Sequence, residues 1–350
     1  MLEPRSATRP AVLVAEDLVM HFAGRRSMAD ALRRRPAAPV QAVAGVSFQV
    51  SPGEVLAIVG ESGCGKTTTA NLLMGLLTPT AGRVVLDGRP VGGRSRAELA
   101  SMRREMQMIF QDPYESLNPR MRIADVVAEP LRVHHVATSP ADEAERVARA
   151  LTRAGLAPAE VYLHRYPFEL SGGQRQRVVV ASALALEPRV LIADEPVSML
   201  DVSIRAEILN LLRGLATEQG IAVVMITHDL STVAAYADRI AVMYLGRIVE
   251  TGHARRILAD PQHPYTRALL SVVPVPDPSA RRRPQVLAGE TPDPARVPSG
   301  CRFHTRCPVA IERCRTIDPA LVTVGDDHAA ACLLVTPSGA PGVPPAARRG

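Results

Sequence analysis

Short apolar runs along this chain alternate with longer segments in which apolar residues recur at helical spacing. The runs at 55–59 and 190–193 are apolar throughout, which is typical of parallel strands buried on both faces. Between 204 and 215 the apolar positions follow the period of an α-helix and predict a crossover helix. Strand, helix and strand in this order predict a parallel α/β sheet covered on both faces. Edge strands are predicted at 11–22 and 43–50, and further strands at 83–86, 106–110 and 221–226.

The pattern also predicts how the chain is organised. Residues 112–170 follow a helical pattern, clearest at 122–133 and 141–154, and predict a helical subdomain inserted in the sheet domain. The expected later elements are a hairpin of 240–244 and 247–251, a helix at 264–273 and a Pro-rich stretch at 274–298. The expected divisions are an N-terminal tail (1–10), a large α/β domain (11–258), a small extension that contains four cysteines (259–335) and a disordered tail (336–350).

Composition narrows the function classes only slightly. The formal net charge of +6 permits contact with anionic lipid or nucleic acid without showing either. Aromatic residues make up 3% and Trp is absent, so a base-stacking platform and a nucleic-acid partner are not expected. Residues 1–10 lack the apolar core of a signal peptide and no window resembles a membrane span, so a cytosolic location is expected. A basic insert at 24–39 is expected to be a solvated loop.

A phosphate-binding loop follows the first apolar run. Residues 60–67 fit G-x-x-x-x-G-K-[ST], in which glycines let backbone N–H groups point at a phosphate and a following helix adds the positive end of its dipole. Lys66, the only lysine of the chain, is placed to reach the β- and γ-phosphates, and the Thr67 hydroxyl to ligate Mg²⁺. The residues expected to contact the nucleotide are Gly60, Glu61, Ser62, Gly63, Cys64, Gly65, Lys66, Thr67 and Thr68.

Two carboxylates follow the second apolar run. An ATPase needs a carboxylate for Mg²⁺ and a group that polarises the attacking water. Asp194 ends the strand predicted at 190–193, where it would lie at the carboxyl edge of the sheet beside the phosphate loop, and Glu195 would polarise the water. The alternative is a solvated Asp-Glu pair in a turn.

A second anion site is predicted at residues 170–174. Ser171 is a suitable N-cap for the apolar helix that begins near Gln174, while Gly172 and Gly173 leave backbone N–H groups open. One chain with one phosphate loop does not need two such sites.

These motifs, in this order over residues 11–258, resemble the nucleotide-binding subunits of ABC transporters. The resemblance identifies 60–67 as Walker A, 170–174 as the signature, Asp194 as the Walker B aspartate and Glu195 as the catalytic glutamate. It implies a P-loop NTPase core of the ABC type, an α/β fold with antiparallel edge strands and a helical subdomain.

The same resemblance assigns three further positions. Gln111 is similar to the Q-loop glutamine, which supports catalysis and binds Mg²⁺, and His228 is similar to the switch histidine. His228 directly follows the mostly apolar segment 221–227, which would deliver its imidazole to the catalytic edge of the sheet. Asp201 ends the D-loop, in which Met199 replaces a small residue. Phe22 would stack on an adenine ring, or is simply a half-buried aromatic of its strand.

Within the family, 111–120 and 263–270 resemble the ATP-binding subunits of oligopeptide and dipeptide importers, the F-type subunit more than the D-type. This implies ATP and Mg²⁺, a second ATPase subunit that is a homologous chain or an identical copy, and two membrane-spanning permeases. It also implies an extracytoplasmic solute-binding protein and a position on the cytoplasmic face of the membrane. The alternatives are a nickel importer, a soluble ABC ATPase that acts in DNA repair or on ribosomes, and a nucleotide-gated scaffold without turnover.

The C-terminal cysteines have the spacing C-x5-C-x6-C-x17-C. Four thiolates could hold a [4Fe–4S] cluster or tetrahedral zinc, although the tighter pair usual for structural zinc is absent. The subfamily resemblance favours the cluster, and four unliganded thiols remain the alternative. The four residues are Cys301, Cys307, Cys314 and Cys332. Cys64, in the phosphate loop, is expected to make nucleotide binding sensitive to oxidation.

Overall fold

The computed structural model describes residues 10–24, 39–92, 95–273 and 285–337. Residues 1–9, most of the basic insert, part of the Pro-rich stretch and the tail from residue 338 lie outside the described residues, as do the predictions made for them. The strands are β1 (Leu13–Phe22), β2 (Val40–Val50), β3 (Val55–Val59), β4 (Ala81–Leu86), β5 (Arg89–Val91), β6 (Met106–Ile109), β7 (Val190–Asp194), β8 (Ala222–Thr227), β9 (Arg239–Tyr244), β10 (Arg247–His253), β11 (Val322–Gly325) and β12 (His328–Ala330).

Helices connect and cover these strands. None of the helices in the described ranges has the length and apolar content that crossing a membrane requires. They are α1 (Lys66–Leu73), α2 (Arg96–Glu105), α3 (Pro113–Ser116), α4 (Ile123–Val133), α5 (Pro140–Arg153), α6 (Glu160–Leu163), α7 (Gly172–Leu184), α8 (Val202–Gln219), α9 (Leu230–Tyr236), α10 (Ala254–Ala259) and α11 (Pro264–Ser271), with 3₁₀ turns at Pro167–Glu169 and Glu312–Arg315.

The larger sheet has the strand order β11-β12-β10-β9-β3-β8-β7-β6. Its part from β9 to β6 is parallel, while β10, β11 and β12 pair antiparallel at one edge. The predicted hairpin is confirmed, because β9 and β10 pair across Leu245 and Gly246. The predicted fold class, a parallel α/β sheet with antiparallel edge strands, is therefore confirmed.

Strand β3 is apolar throughout because both of its faces are covered. Val55, Ala57 and Val59 belong to the core beneath the helical subdomain. Leu56 and Ile58 belong to a second core on the opposite face, shared with α1 and the smaller sheet. Successive strand residues point to opposite faces, and fully burying one such side chain stabilises the fold by about 1.5–3 kcal/mol.

Strands predicted at the edge of the main sheet instead form a separate sheet. Its order is β2-β1-β4-β5, and all its pairs are antiparallel. The apolar residues of β1, such as Leu13 and Leu18, alternate loosely and lie in the second core, while the other face of the strand is partly exposed. An alternating strand suits a sheet that is covered on one face, and this is why β1 and β2 do not join the fully buried parallel sheet.

The helices within 112–170 pack on α7, which begins just beyond that range and contacts both α4 and α5. Val127, Leu151 and Val180 from these three helices share the core that also contains the inner face of β3.

The sequence pattern did not predict α2. Its signal was the capping box, in which Ser95 accepts a hydrogen bond from the Glu98 N–H at 3.3 Å and the Glu98 carboxylate accepts one from the Ser95 N–H at 2.9 Å.

The extension adds its own strands to the main sheet. Strand β12 pairs antiparallel with β10 at the register Glu250↔Ala330, and β11 then pairs with β12. The predicted boundary near residue 258 stays a prediction, since the sheet continues across it.

One buried carboxylate fastens the extension to β10. Glu250 is fully buried, and its oxygens accept hydrogen bonds from the backbone N–H groups of Gln262 at 2.6 Å and His263 at 3.0 Å. His328 Nε2 of β12 lies 2.7 Å from the same carboxylate. A buried carboxylate is stable only when its oxygens are paired in this way, so Glu250 fixes the start of α11 and β12 together.

His263 makes the stability of this region dependent on pH. Its Nδ1 accepts the Tyr265 N–H at 3.1 Å and caps α11, while burial, with Arg267 nearby, lowers its pKa from 6.5 to about 3. As the pH falls below 6.5 the unfolded chain therefore takes up a proton that the folded chain refuses, and stability falls across the window from pH 6.5 to about 3.

We expect the free energy of unfolding to drop by up to about 2 kcal/mol between pH 7 and pH 5 through His263 alone. The variant His263→Asn retains a capping acceptor but does not titrate, so its stability should fall less over the same interval. Denaturant unfolding of both proteins at both pH values measures the difference, which cancels the contribution of other acidic groups. Equal losses of stability would show that His263 is not the titrating group.

Candidate nucleotide-binding and hydrolysis site

The predicted catalytic residues follow four neighbouring parallel strands. Gly60 comes directly after β3, Glu195 after β7 and His228 after β8, while Gln111 lies two residues beyond β6. The strands are adjacent in the order β3-β8-β7-β6, so their carboxyl ends meet at one edge of the sheet. The fold thus brings together residues that are far apart in sequence, as predicted.

The phosphate loop packs tightly against the strands beside it. Gly65 has a φ of 106°, and a Cβ atom there would lie 2.2 Å from the Ala42 carbonyl oxygen. Gly60 is equally restricted, because a Cβ atom would lie 2.2 Å from the Met243 carbonyl oxygen. Only glycine fits at these two positions, which fixes the loop against β2 and β9.

Lys66 is the first residue of α1, and only 5% of it is exposed. Its ammonium group donates hydrogen bonds to the carbonyl oxygens of Gly60 at 2.8 Å and Glu61 at 2.9 Å. The loop carbonyls therefore hold the charge beside the N-terminus of α1, where a phosphate would be attracted to both.

The Glu195 carboxylate is held by both predicted catalytic partners. Gln111 Nε2 donates to Glu195 Oε2 at 3.1 Å, and His228 Nδ1 lies 3.1 Å from Glu195 Oε1. The residue has a φ of 48°, in the left-handed region, and its N–H donates to the Ile226 carbonyl at 2.8 Å. Non-glycine residues seldom adopt this conformation and cluster at functional sites when they do. Gln111 and His228 thus fix the direction in which Glu195 points.

Asp194 and Thr67 fit a magnesium ion. Asp194 ends β7 and is 5% exposed, and its Oδ1 has no hydrogen-bond partner. Burial raises the pKa of this carboxyl, while the hydroxyl of Thr67 and the charge of Lys66 oppose the rise. A buried carboxylate oxygen without a donor, next to a hydroxyl, is the oxygen-rich environment that Mg²⁺ prefers. Gln111, the third predicted ligand, has its amide nitrogen bound to Glu195.

The signature segment opens α7 as predicted. Ser171 is the N-cap and accepts the Gln174 N–H at 3.3 Å, while Gln174 Oε1 accepts the Ser171 N–H at 3.0 Å. A Cβ atom on Gly173 would lie 2.5 Å from Ile204 Cγ2, so this glycine also allows α7 to pack closely on α8. Gly172 lies in the same first turn. Binding of an anion at this helix end stays a prediction.

The D-loop and Phe22 lie at the surface. Met199 is 58% exposed and Val202 is 81% exposed, on either side of Asp201, which precedes α8 without a side-chain cap. An exposed apolar segment of this kind is typical of a contact surface. Phe22 ends β1 and is 37% exposed, so it presents part of its ring to solvent, and its role with adenine stays a prediction.

Cysteine chemistry at the loop differs from the expectation. Cys64 is 1% exposed, and burial raises the pKa of its thiol. Reactive cysteines are accessible and have a low pKa, so the expected sensitivity to oxidation is not supported.

The C-terminal cysteines lie near one another without forming a metal site. Burial, with the three neighbouring thiols adding to it, raises the pKa of Cys301 to about 11. In the described parts of the chain, which include all four residues, no group of three or more His, Cys, Asp or Glu side chains could hold a metal ion. The predicted iron–sulfur cluster is therefore not supported. All four C-terminal cysteines are free thiols, namely Cys301, Cys307, Cys314 and Cys332.

Sequence reasoning missed the residues that support Glu61. Its N–H donates to the Tyr265 hydroxyl, and its carboxylate binds Thr291 and Arg306, all of them from the extension. No sequence signal links positions more than 200 residues apart when each is an isolated polar residue.

Comparison with known proteins agrees with this geometry. The family model for ABC transporters matches residues 43–198, and the model for the C-terminal region of oligopeptide/dipeptide transporters matches residues 249–314. A probable peptide ABC transporter ATP-binding protein of Sinorhizobium fredii is 49% identical over 88% of this chain and 86% of its own length. The oligopeptide transport ATP-binding protein OppF of Salmonella typhimurium is 47% identical over 87% of this chain and 90% of its own length.

Solved structures also resemble a large part of the chain. The dimeric ATP-binding cassette MJ0796 with ADP and phosphate matches with a TM-score of 0.59 and 28% identity, over 69% of this chain and 99% of its own length. The cbiO1 protein of Clostridium perfringens, from the transporter complex cbiONQ, matches with a TM-score of 0.60 and 30% identity. The match covers 71% of this chain and 91% of the cbiO1 chain. With these matches and the motifs at the sheet edge, the chain belongs to the family of ABC transporter ATP-binding subunits.

Proposed function

We propose that this chain binds and hydrolyses ATP to power an importer of dipeptides or oligopeptides. The observation that carries the proposal is the Glu195 carboxylate, held by Gln111 and His228 at the sheet edge that also carries the phosphate loop. The relatives described as peptide transport subunits, and the match of residues 249–314 to the C-terminal region of such transporters, support the peptide as the solute.

Each residue of the site has a separate task. Lys66 and the N-terminus of α1 bind the β- and γ-phosphates, and Glu195 orients a water molecule toward the γ-phosphate and accepts its proton. His228 and Gln111 keep the carboxylate pointing at that water. Thr67 and Asp194 would hold Mg²⁺, which when bound neutralises charge on the phosphate oxygens.

Two protomers complete the site in this proposal. The chain contains one phosphate loop and one signature, and the signature of one protomer closes over ATP bound by the Lys66 region of its partner. The exposed apolar D-loop around Met199 supports a contact there, and the dimeric cassettes among the similar structures provide a precedent. The partner is a homologous chain or an identical copy, and the pair acts beneath two permease subunits at the cytoplasmic face of the membrane. An extracytoplasmic solute-binding protein delivers the solute.

The dimer closes around ATP and reopens after hydrolysis, and this movement drives the conformational change of the permeases. ATP bridges the two halves, so it favours the closed arrangement, and loss of the γ-phosphate removes part of that bridge. The exposed aromatic residues Phe110 and Tyr114, beside Gln111, lie where a permease could contact the helical subdomain. Gln111, which contacts Glu195, is thus next to the surface through which closure of the dimer would be transmitted to the permease.

Replacing Glu195 by Gln should lower the turnover number about 10²- to 10⁴-fold while leaving ATP affinity nearly unchanged, because only the base is lost. The closed dimer should accumulate with ATP, and sedimentation velocity should detect it. Glu187 is a matched control, since it is also a glutamate with a positive φ, 54°, but pairs with Arg149 at the surface. Glu187→Gln should hydrolyse ATP at the normal rate, and a normal rate in Glu195→Gln would contradict its assigned role.

The solute is tested by transport in cells. Deleting the gene for this chain in its native host should abolish uptake of labelled dipeptides or oligopeptides. Expression of the unmodified chain should restore that uptake, and expression of Glu195→Gln should not. Nickel uptake should not change. Loss of nickel uptake with normal peptide uptake would favour a nickel importer instead.

A tagged chain should co-purify with permeases and a second ATPase, whereas recovery with DNA or ribosomes would favour a soluble ABC ATPase.

A further inference from the structure

We propose that the C-terminal extension positions the phosphate loop through Glu61, with Arg306 and Thr291 as positioning residues for ATP binding. The inference rests on the proposed function, since it concerns the same nucleotide. It goes beyond that function because it gives the extension a direct part in nucleotide affinity.

Glu61 is contacted by three separate parts of the extension. Its N–H donates to the Tyr265 hydroxyl of α11 at 2.9 Å. Its Oε2 accepts the Thr291 hydroxyl at 2.6 Å and Arg306 Nη1 at 2.8 Å, and its Oε1 accepts Arg306 Nη2 at 3.3 Å. The guanidinium therefore binds the carboxylate through both oxygens, which fixes orientation as well as distance.

The same residue holds the lysine that binds phosphate. The Glu61 carbonyl oxygen accepts the Lys66 ammonium at 2.9 Å. Glu61 thus connects the extension to Lys66. Its N–H and carboxylate contact the extension, and its carbonyl oxygen contacts Lys66. A shift of Glu61 would change the position of the Lys66 charge.

The Arg306 side chain has little freedom to leave this position. It is only 9% exposed, its Nη1 also lies 3.2 Å from the Thr291 hydroxyl, and its guanidinium lies 6.0 Å from the centre of the Tyr244 ring. Tyr244 in turn packs against Tyr265 and Phe303, with ring centres 4.7 and 5.2 Å away. An arginine held by hydrogen bonds and placed over a ring that is itself packed among aromatic side chains is a rigid support.

Charge gives Arg306 a second effect. Burial alone would raise the pKa of the Glu61 carboxyl, but the hydrogen bonds from Arg306 and Thr291 outweigh it and hold the pKa below its usual value. Glu61 is therefore a carboxylate inside a loop that binds phosphate, and an uncompensated carboxylate there would repel ATP. Arg306 neutralises that charge as well as holding the loop.

The two effects can be separated by mutation. Arg306→Met keeps the apolar stem but leaves the Glu61 charge unpaired, and should raise the Kd and the KM for ATP about three- to tenfold with little change in kcat. Arg306→Lys retains the charge without the bidentate geometry and should give a smaller increase. Adding Glu61→Gln to Arg306→Met removes the unpaired charge and should recover part of the affinity.

Arg247→Met is the matched control. Arg247 of β10 pairs with Asp318 and also ties the extension to the main sheet, but it does not contact Glu61. If loosening the extension were enough to weaken ATP binding, this variant would behave like Arg306→Met. We expect its Kd for ATP to equal that of the unmodified chain.

The Kd for MgATP, measured by calorimetry on the full chain, decides the proposal independently of hydrolysis or transport. An unchanged Kd in Arg306→Met, or equal losses in Arg306→Met and Arg247→Met, would overturn it. If Arg306→Met does not fold, Thr291→Val, which removes only the hydroxyl donor, and Arg306→Lys serve in its place, and normal affinity in both would overturn it. Failure of the proposed function would appear differently, as ATP binding in the unmodified chain without turnover.

Discussion

The parallel pairing of β3, β8, β7 and β6 determines where the chemistry of this protein can occur. These four strands end at one edge, and the residues that follow them meet there, with Gln111 and His228 each 3.1 Å from the Glu195 carboxylate. Hydrophobic cores on both faces of β3 hold the strands in this order, so the positions of the catalytic side chains do not depend on any single loop. Because the pairing register sets these distances, a change in the sheet would separate the three side chains.

Carboxylates join the cassette to its extension at two places. Glu250 is fully buried and accepts hydrogen bonds from the backbone before α11, with the His328 imidazole of β12 beside it. The partly exposed Glu61 binds Arg306 and Thr291 beside the phosphate loop. A buried carboxylate left without donors costs several kcal/mol, so the contacts of Glu250 are not readily given up. The extension is therefore part of the same folded unit as the nucleotide site.

Much of this was predictable from the sequence, because strongly apolar runs and short motifs carry local information. The runs at β3 and β7 predicted buried parallel strands, and the residue after each predicted the site. The separate sheet containing β1 was not predicted, since alternation indicates an exposed face but not which sheet the strand joins. The Arg306–Glu61 contact depends on tertiary packing alone. The subfamily resemblance favoured a [4Fe–4S] cluster at the four C-terminal cysteines, which the described thiols do not support.

In the proposed dimer, one protomer supplies the phosphate loop and Glu195 while its partner supplies the signature. The decisive test is how the ATPase rate per subunit depends on protein concentration. We expect the rate per subunit to rise as the chain dimerises and to approach zero at concentrations where sedimentation detects only monomer. A constant, full rate per subunit in strictly monomeric protein would contradict it.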